Sequence, residues 1–252
     1  MRLTVLGCSG GIGGPARTTA LLVGERVLID AGTGVGELSL DALCKIDHVF
    51  LTHAHFDHIA CLPMLLDTVV SARSAPVTVH ALPETIAALR THVFNWQIWP
   101  DFGEIPSAGN GLLQWAPIRV GEACAVAGAT VTALPAEHTV PALGYLIDSG
   151  NGAVAFSGDS ADCPAFWDAL AGVPDLRALI VETAFSNREA ELARRSQHFS
   201  PAALLAVLDR LDPAVDVWLT HLKPLDAERI IAETRNGVHR IAALAGGQVL
   251  AF

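Results

Sequence analysis

The sequence predicts a layered α/β sandwich, and three observations carry that prediction. Apolar residues make up 51% of the 252 residues and charged residues only 17%, which suits strands that are covered on both faces. Strand-like runs alternate with helix-like runs along the chain. No stretch has the composition of a linker, so we expect one domain over residues 1–252.

The first half opens with three strands and then alternates strands with helices. The strands predicted there are 2–6, 18–23, 26–30, 48–52 and 76–80, and the helices are 57–73 and 83–92. The helical runs are longer than the strands and carry apolar residues at positions that suit a buried helix. Residues 93–111 hold two tryptophans among Pro, Gly and Asn without a clean period, so we predict an irregular insertion there.

The second half repeats the alternation and closes on a strand. The predicted strands are 130–136, 143–148, 153–157, 177–182, 216–220 and 248–252, and the predicted helices are 164–171, 188–195, 201–211 and 226–235. No internal sequence repeat is visible, although two halves with the same β-then-α design fit the pattern.

Charge and cysteine content limit the function classes. A formal charge of -10 would repel a phosphate backbone, so we expect no stable nucleic-acid binding. The five cysteines are scattered and lack C-x-x-C pairing, which argues against a disulfide framework or a cysteine zinc knuckle. The N-terminal segment looks like a strand, and no run is long enough to cross a bilayer. We therefore expect a cytoplasmic protein without a membrane anchor.

The run THAHFDH at residues 52–58 is the strongest signal of a functional site. On an extended backbone His53 and His55 point the same way, and Asp57 and His58 can turn back as a helix begins. Imidazoles and carboxylates at this spacing are typical metal ligands. A histidine-rich surface loop is the alternative, and the density of ligand types makes it the weaker interpretation.

Three further candidate ligands, His138, Asp159 and His221, each follow an apolar run that predicts a strand. Strand ends gather at one edge of an α/β sheet, where sites form. Singly, each has an ordinary alternative, because the histidines could be satisfied polar residues and Asp159 could cap a helix. For the remaining histidines we expect structural or surface roles; they are His48, His80, His92 and His239.

The series THAHFDH, His138, SGDS and LTHLKP resembles, in order and spacing, the metallo-β-lactamase superfamily of metal-dependent hydrolases. The resemblance covers essentially the whole chain and implies a four-layer αββα sandwich. It also implies two divalent metal ions, with zinc expected and manganese and iron as alternatives. The implied ligands are His53, His55 and His138 on one metal, Asp57, His58 and His221 on the other, and Asp159 bridging the two.

Two stretches narrow the resemblance to one branch. VETAFSNREAELARRSQHFSP resembles the phosphodiesterase branch that includes ribonuclease Z, in which a glutamate after a strand is followed by a histidine at a helix start. Here these residues are Glu182 and His198. HVFNWQIWPDFGEIP, together with THLKP, resembles the class II 3',5'-cyclic-nucleotide phosphodiesterases. The implied reaction is hydrolysis of a small-molecule phosphodiester, cyclic AMP or cyclic GMP, to the 5'-nucleotide.

The chemistry of that branch suits these residues. A pair of metal ions can lower the pKa of a bridging water and stabilise both the attacking and the leaving oxygen at phosphorus. A metal-bridging hydroxide would attack, with Asp57 holding it by a hydrogen bond. Expulsion of the 3' alkoxide needs an acid, for which His198 is the candidate, oriented by Glu182. From the residues alone, a surface position for His198 and a capping or ion-pair role for Glu182 are equally good interpretations.

Two features keep alternatives open. The glycine-rich loop at residues 7–14 lacks the Lys-Ser/Thr of a P-loop and the G-x-G-x-x-G spacing of a dinucleotide fold, so we interpret it as a flexible rim. Asn95 and Trp99 could contact a purine; alternatively, the tryptophans could be buried in a lid or a homodimer interface.

Three other functions stay open. Precursor-tRNA processing like that of ribonuclease Z is disfavoured by the negative charge and by the lack of a long basic arm. A lactone or thioester hydrolase on the same scaffold would leave Glu182 and His198 without a role. A metal-binding protein without catalysis would have no use for an open, water-bearing metal pair.

Overall fold

The computed structural model describes residues 1–235 and 238–252, and its main feature is a pair of seven-stranded sheets. In these ranges the strands are β1 (Arg2–Gly7), β2 (Ala20–Val23), β3 (Val27–Ile29), β4 (His48–Phe50), β5 (Val77–Ala81), β6 (Pro106–Ser107), β7 (Asn110–Gly111), β8 (Leu113–Pro117), β9 (Ala123–Val126), β10 (Ala129–Pro135), β11 (Leu143–Asp148), β12 (Ala153–Phe156), β13 (Leu176–Glu182), β14 (Asp216–Thr220), β15 (Ile241–Ala243) and β16 (Val249–Ala251). The α-helices are α1 (Leu40–Leu43), α2 (Phe56–Ile59), α3 (Leu62–Val69), α4 (Pro83–His92), α5 (Pro164–Leu170), α6 (Ala190–Arg195), α7 (Pro201–Leu205) and α8 (Ala227–Glu233), and short 3₁₀ segments cover Thr33–Glu37, Asn187–Glu189 and Leu208–Arg210.

The two large sheets share one design, as the alternation of strands and helices predicts. The first has the strand order β16-β1-β2-β3-β4-β5-β8 and the second the order β15-β14-β13-β12-β11-β10-β9. In the first sheet the block from β3 to β8 is parallel and the other pairs are antiparallel. In the second, the block from β12 to β15 is parallel. Each sheet therefore joins an antiparallel part to a parallel part.

The structure has four layers, and three apolar clusters lie between them. One cluster joins the first sheet to the helices before the insertion, through residues such as Leu62, Leu66 and Val79. The second fills the space between the sheets, and the third joins the second sheet to α5, α7 and α8. The order of layers is helices, sheet, sheet, helices. The predicted αββα sandwich is confirmed.

The central strands are apolar on both faces because each sheet is covered twice. On β13, Ile180 belongs to the cluster between the sheets, whereas Leu179 and Val181 belong to the cluster under the helices. Successive side chains of a strand point to opposite faces, so both faces of β13 must be apolar. This explains why such strands read as unbroken hydrophobic runs.

The helix predicted over residues 57–73 is instead two helices, α2 and α3. The Cys61 N–H donates to the Ala31 carbonyl at 2.8 Å, outside the helix. Pro63 lies in the first turn of α3, where its missing N–H costs nothing. The break turns the chain between the end of the THAHFDH motif and the helix that covers the first sheet.

The helix predicted over residues 201–211 is also too long. It ends as α7 at Leu205, and a separate 3₁₀ segment, Leu208–Arg210, follows it. Arg210 and Leu211 donate to Val207 and Leu208 respectively, which is the tighter i to i+3 pattern common after helix ends.

Three strands that the sequence pattern misses, β8, β9 and β15, are all edge strands. Their burial is incomplete, as for β9, where two of four residues are exposed. A half-exposed edge strand carries a weak hydrophobic signal. The insertion at residues 93–111 is irregular as predicted, apart from the β6–β7 hairpin.

His80 on β5 pairs with β4, the strand that precedes the THAHFDH run, and has a structural role there. Its ring stacks on Phe50, with centroids 4.2 Å apart and planes at 7°. Its Nε2 lies 3.1 Å from His48 Nδ1. Burial, and the nearby His48, lower the pKa of His80 from 6.5 to about 4. The folded protein therefore resists protonation of this imidazole.

We predict that His80 makes the protein less stable as the pH falls from about 6.5 to about 4, because over that range the unfolded chain binds a proton that the folded chain does not. The total loss attributable to His80 is on the order of 3 kcal/mol. In urea unfolding at a series of pH values, His80→Phe should lose less stability towards acid than the wild type. The exposed His92, replaced by phenylalanine, is the control. If the His80→Phe and wild-type profiles run parallel, the prediction fails.

Candidate metal centre

The candidate site lies where several strands end. His53 and His55 follow β4, Asp159 follows β12 and His221 follows β14, while Glu182 is the last residue of β13. Strands β12, β13 and β14 are parallel neighbours, so their carboxyl ends meet at one edge of the second sheet. Such an edge is where ligand sites form in open α/β sheets.

The seven predicted ligands come together at this edge. They form two groups, within each of which one ligand atom per residue lies within 4.8 Å of the others: His53, His55 and His138, and Asp57, His58, Asp159 and His221. Nε2 of His138 lies 3.2 Å from Nδ1 of His55, and Nε2 of His58 lies 3.3 Å from a carboxylate oxygen of Asp159. The cluster can bind metal, and the two groups coincide with the two ligand sets that the resemblance implies, with Asp159 placed in the second.

Unpartnered nitrogen atoms support a cation at this place. Nε2 of His53, Nε2 of His58 and Nδ1 of His221 are buried and lack a hydrogen-bond partner among the described residues. A buried polar atom without a partner is costly and rare. Three of them in one small volume, beside carboxylates, fit the nitrogen and oxygen ligands of a metal ion.

The charges of the cluster also favour a cation. Burial opposes a charged imidazole, yet the carboxylates of Asp159 and Asp30 raise the pKa of His58 well above its usual value. Burial likewise opposes ionisation of Asp159, and the neighbouring His221 and His58 lower the pKa of Asp159 well below its usual value. The carboxylate of Asp159 therefore attracts positive charge, which a proton on His58 or a metal ion can supply.

Asp30 is a functional residue that the sequence interpretation missed. It is fully buried, and its carboxylate accepts hydrogen bonds from the backbone N–H and hydroxyl of Thr52 and from Nδ1 of His58, the last at 2.7 Å. Because the Thr52 hydroxyl donates to Asp30, it accepts from Nδ1 of His53, 2.9 Å away. One carboxylate thus orients two imidazoles. Asp30 follows the strand-like run RVLI, so the criterion that selected Asp159 would have found it.

A backbone carbonyl orients a third histidine. Nδ1 of His138 donates to the Gln197 carbonyl at 3.1 Å. The other ring nitrogen, Nε2, is then left with its lone pair facing His55 and the cluster. Gln197 immediately precedes His198. The same short segment therefore orients His138 through a carbonyl and carries His198.

Two glycines allow the backbone to approach the cluster closely. Gly158 has a φ of 62°, and a Cβ there would lie 2.4 Å from the Leu143 carbonyl oxygen. A Cβ on Gly10 would lie 2.3 Å from the carbonyl oxygen of His221. Gly10 also donates its N–H to Leu222, and His221 donates its N–H to Cys8. The first half of the glycine-rich loop is therefore packed against the His221 turn, which corrects the interpretation of the whole loop as a flexible rim.

Glu182, which is buried, and His198, which is partly exposed, form a pair at the edge of the cluster. Oε1 of Glu182 lies 2.7 Å from Nδ1 of His198 and also accepts from the N–H groups of Ser160 and Phe199. Burial opposes protonation of His198, but the Glu182 carboxylate raises its pKa above the usual value. His198 also forms a close group with His138 and Asp159, one ligand atom of each lying within 4.8 Å of the others. Glu182 thus accepts hydrogen bonds from backbone N–H groups, as a capping residue would, and also orients His198.

Asn95 and Trp99 are not part of this cluster. The Asn95 side chain accepts from the N–H groups of Gln97 and Ile98 and donates to the Thr91 carbonyl. Its polar atoms are thus used within its own turn. The Trp99 side chain packs against the core under the first sheet. A purine contact by either residue stays a prediction, and the local hydrogen bonds of Asn95 argue against it.

Replacing Asp30 with asparagine tests the orienting role. Asparagine tolerates the left-handed backbone at this position, where φ is 59°, but it removes the charge that holds His58. We expect metal affinity to fall by about 10-fold to 100-fold, measured by competition with a chromophoric chelator. Asp47→Asn is the control, since Asp47 pairs with Arg73 and Arg26. Unchanged affinity in Asp30→Asn would contradict the assignment.

Curated and solved proteins resemble this chain. A probable 3',5'-cyclic-nucleotide phosphodiesterase of Yersinia pestis is 27% identical over 204 residues, which are 71% of this chain and 58% of that protein. A ribonuclease Z of Clostridium beijerinckii is 36% identical over 105 residues, which are 37% of this chain and 34% of that protein. The chain thus spans less than two thirds of the length of these relatives.

The fold has a solved counterpart in unliganded yeast PDE1, with a TM-score of 0.78 and 20% identity over 100% of this chain and 99% of that one. No described helix has the length and apolar composition to cross a membrane. Residues 25–222 match the model of the β-lactamase superfamily domain. The resemblance carried by THAHFDH, His138, SGDS and LTHLKP is confirmed, and the chain belongs to the β-lactamase superfamily.

Proposed function

We propose that this protein is a dinuclear metal-dependent phosphodiesterase that hydrolyses 3',5'-cyclic nucleotides to 5'-nucleotides. One observation carries the proposal: the pair of buried Glu182 and partly exposed His198 lies beside the seven-ligand cluster, with Nδ1 of His198 2.7 Å from Glu182. A metal cluster with a positioned acid suits a reaction that expels a poor leaving group. The relatives named as cyclic-nucleotide phosphodiesterases support this substrate class.

The ligands divide between two proposed metal positions. His53, His55 and His138 would hold one ion, Asp57, His58 and His221 the other, and Asp159 would lie between them. Zinc suits these nitrogen and oxygen ligands, and manganese and iron are the alternatives. Two bound divalent ions would supply an acidified water and stabilise negative charge that develops at phosphorus.

His198 protonates the leaving alkoxide in this mechanism. Its Nδ1 is bound to Glu182, which leaves Nε2 as the nitrogen for the substrate. The proton must be present before the reaction, and the Glu182 carboxylate favours it by raising the pKa of His198, against the effect of burial. Glu182 is itself held by backbone N–H groups of Ser160 and Ala184, so the pair keeps its orientation.

Asp57 is the second group that would contact the reacting atoms. Its side chain is 31% exposed, whereas that of His58 is fully buried. A carboxylate oxygen of Asp57 lies 3.7 Å from Nε2 of His221. Asp57 can therefore face both the metal position and the open side, where it would accept a hydrogen bond from the attacking water.

Ribonuclease Z-like cleavage of precursor tRNA is the second candidate, because several relatives bear that name. These 252 residues carry a formal charge of -10, which opposes binding of a polyanion. Hydrolysis of a thioester would use the cluster but leave the Glu182–His198 pair without a role, because a thiolate is a far less basic leaving group than an alkoxide. A lactone also expels an alkoxide, so the substrate panel decides whether the protein hydrolyses it.

A substrate panel tests the proposed activity. Metal-loaded protein should hydrolyse cyclic AMP or cyclic GMP at least about 10-fold better, in kcat/KM, than a lactone or precursor tRNA. A small phosphodiester suits both the cluster and the acid and avoids the repulsion between the negatively charged protein and tRNA. Chelator treatment and His55→Ala should abolish turnover. If the protein hydrolyses no cyclic nucleotide but does hydrolyse another ester, the proposed substrate is wrong. The proposal that the protein is a metal-dependent hydrolase would then still stand.

Removal of the proposed acid should depend on the leaving group. His198→Ala should lower kcat for a cyclic nucleotide by about 100-fold to 10,000-fold. The loss should be far smaller for bis(p-nitrophenyl) phosphate, because p-nitrophenolate leaves without a proton. Metal content, measured by elemental analysis, should match that of the wild type.

The exposed His92, replaced by alanine, is the control for this experiment. Glu182→Gln should show the same dependence on the leaving group in weaker form, because it keeps His198 but removes the charge beside it. Equal losses on both substrates, or loss of metal from His198→Ala, would contradict the role of His198 as the acid.

A further inference from the structure

Lysine is rare in this chain, and one of its two lysines lies beside the cluster. Lys45 lies 3.1 Å from the carboxylate of Glu25. Lys223 is two residues after His221, and its Nζ donates to the Gly10 carbonyl at 2.7 Å. No carboxylate of the described residues forms an ion pair with Lys223, although the chain has 26 acidic residues. Among the described residues, Lys223 is therefore a cation beside the cluster with no carboxylate paired to it.

The ammonium of Lys223 and the ring of His198 both approach the ring of Phe185. It stands 5.9 Å from the centre of the Phe185 ring, and that ring meets the His198 ring edge-on at 5.6 Å. The Lys223 backbone N–H donates to Ala184, two residues after Glu182. The ends of β13 and β14 therefore hold the lysine next to the proposed acid.

The protein itself takes up one of the three hydrogen-bond donors of the Lys223 ammonium. An ammonium has three N–H donors, and the Gly10 carbonyl takes one of them. The Phe185 ring face offers a cation–π contact but neutralises no charge. A half-buried cation with free donors, next to a cluster that itself favours cations, is a position that an anionic ligand stabilises.

We propose that Lys223 binds a nonbridging oxygen of the substrate phosphoryl group and makes the site selective for anionic diesters over neutral esters. The proposal rests on the proposed function, because it concerns the substrate of the same site. A phosphodiester carries one negative charge, whereas a lactone or an acetate ester carries none. A lysine ammonium suits a phosphate oxygen as a compact point charge.

A purely structural role is the competing explanation. Lys223 could serve only to hold Gly10, and with it the glycine-rich loop, against the His221 turn. That role would affect every substrate equally, since His221 would shift whichever ester was bound. A comparison of charged and neutral substrates therefore separates the two explanations.

The test compares Lys223→Ala, Lys223→Arg and the control Lys45→Ala, all loaded with metal. The probes are bis(p-nitrophenyl) phosphate and the neutral p-nitrophenyl acetate, which release the same leaving group. We expect the ratio of kcat/KM for the charged over the neutral ester to fall about 10-fold to 100-fold in Lys223→Ala, mainly through KM, as for the loss of one charge-assisted hydrogen bond. Lys223→Arg should keep most of the wild-type ratio of kcat/KM between the two esters. Lys45→Ala should leave that ratio unchanged.

An unchanged ratio in Lys223→Ala, or equal losses on both esters, would overturn the proposal. Calorimetric titration of the metal-loaded proteins with inorganic phosphate measures binding affinity without requiring turnover. Phosphate should bind Lys223→Ala about 10-fold more weakly than the wild type. If the wild type hydrolyses no diester, the proposed function fails, and equal phosphate affinities would separately remove the role of Lys223.

Discussion

The buried carboxylate of Asp30 is the interaction on which the rest of the site depends. It accepts from Thr52 and from Nδ1 of His58, and the Thr52 hydroxyl in turn accepts from Nδ1 of His53. An imidazole has two nitrogens, and the hydrogen bond at one decides what the other can do. Nδ1 of His53 is hydrogen-bonded to Thr52 and Nδ1 of His58 to Asp30. Nε2 of both histidines therefore faces the cluster.

The same arrangement recurs around the site with other partners. The Gln197 carbonyl holds Nδ1 of His138, and the Glu182 carboxylate holds Nδ1 of His198. The difference between the partners is chemical. A neutral carbonyl leaves His138 as a candidate metal ligand, whereas the charge of Glu182 raises the pKa of His198 despite burial, as the proposed role of an acid requires. The same type of contact at Nδ1 therefore orients both a candidate metal ligand and the proposed acid.

The sandwich brings these groups together because its parallel strands end at common edges. Prediction from the pattern succeeded for buried central strands such as β13 and β14, whose side chains are apolar on both faces. It failed for the edge strands β8, β9 and β15. An edge strand is partly exposed, and its polar residues weaken the pattern of apolar residues from which a strand is predicted. It also joined α2 to α3, because an apolar run does not reveal that the Cys61 N–H bonds to Ala31.

The sequence alone determined the fold class and which residues are candidate metal ligands, because THAHFDH is a local motif and His138, Asp159 and His221 each follow a recognisable strand. Tertiary structure decided what surrounds them. The bonds of Asp30 to His58, of Gln197 to His138 and of Lys223 to Gly10 join residues separated by 28, 59 and 213 positions. No local pattern encodes such pairings, since they depend on which strand ends the packed sheets place side by side.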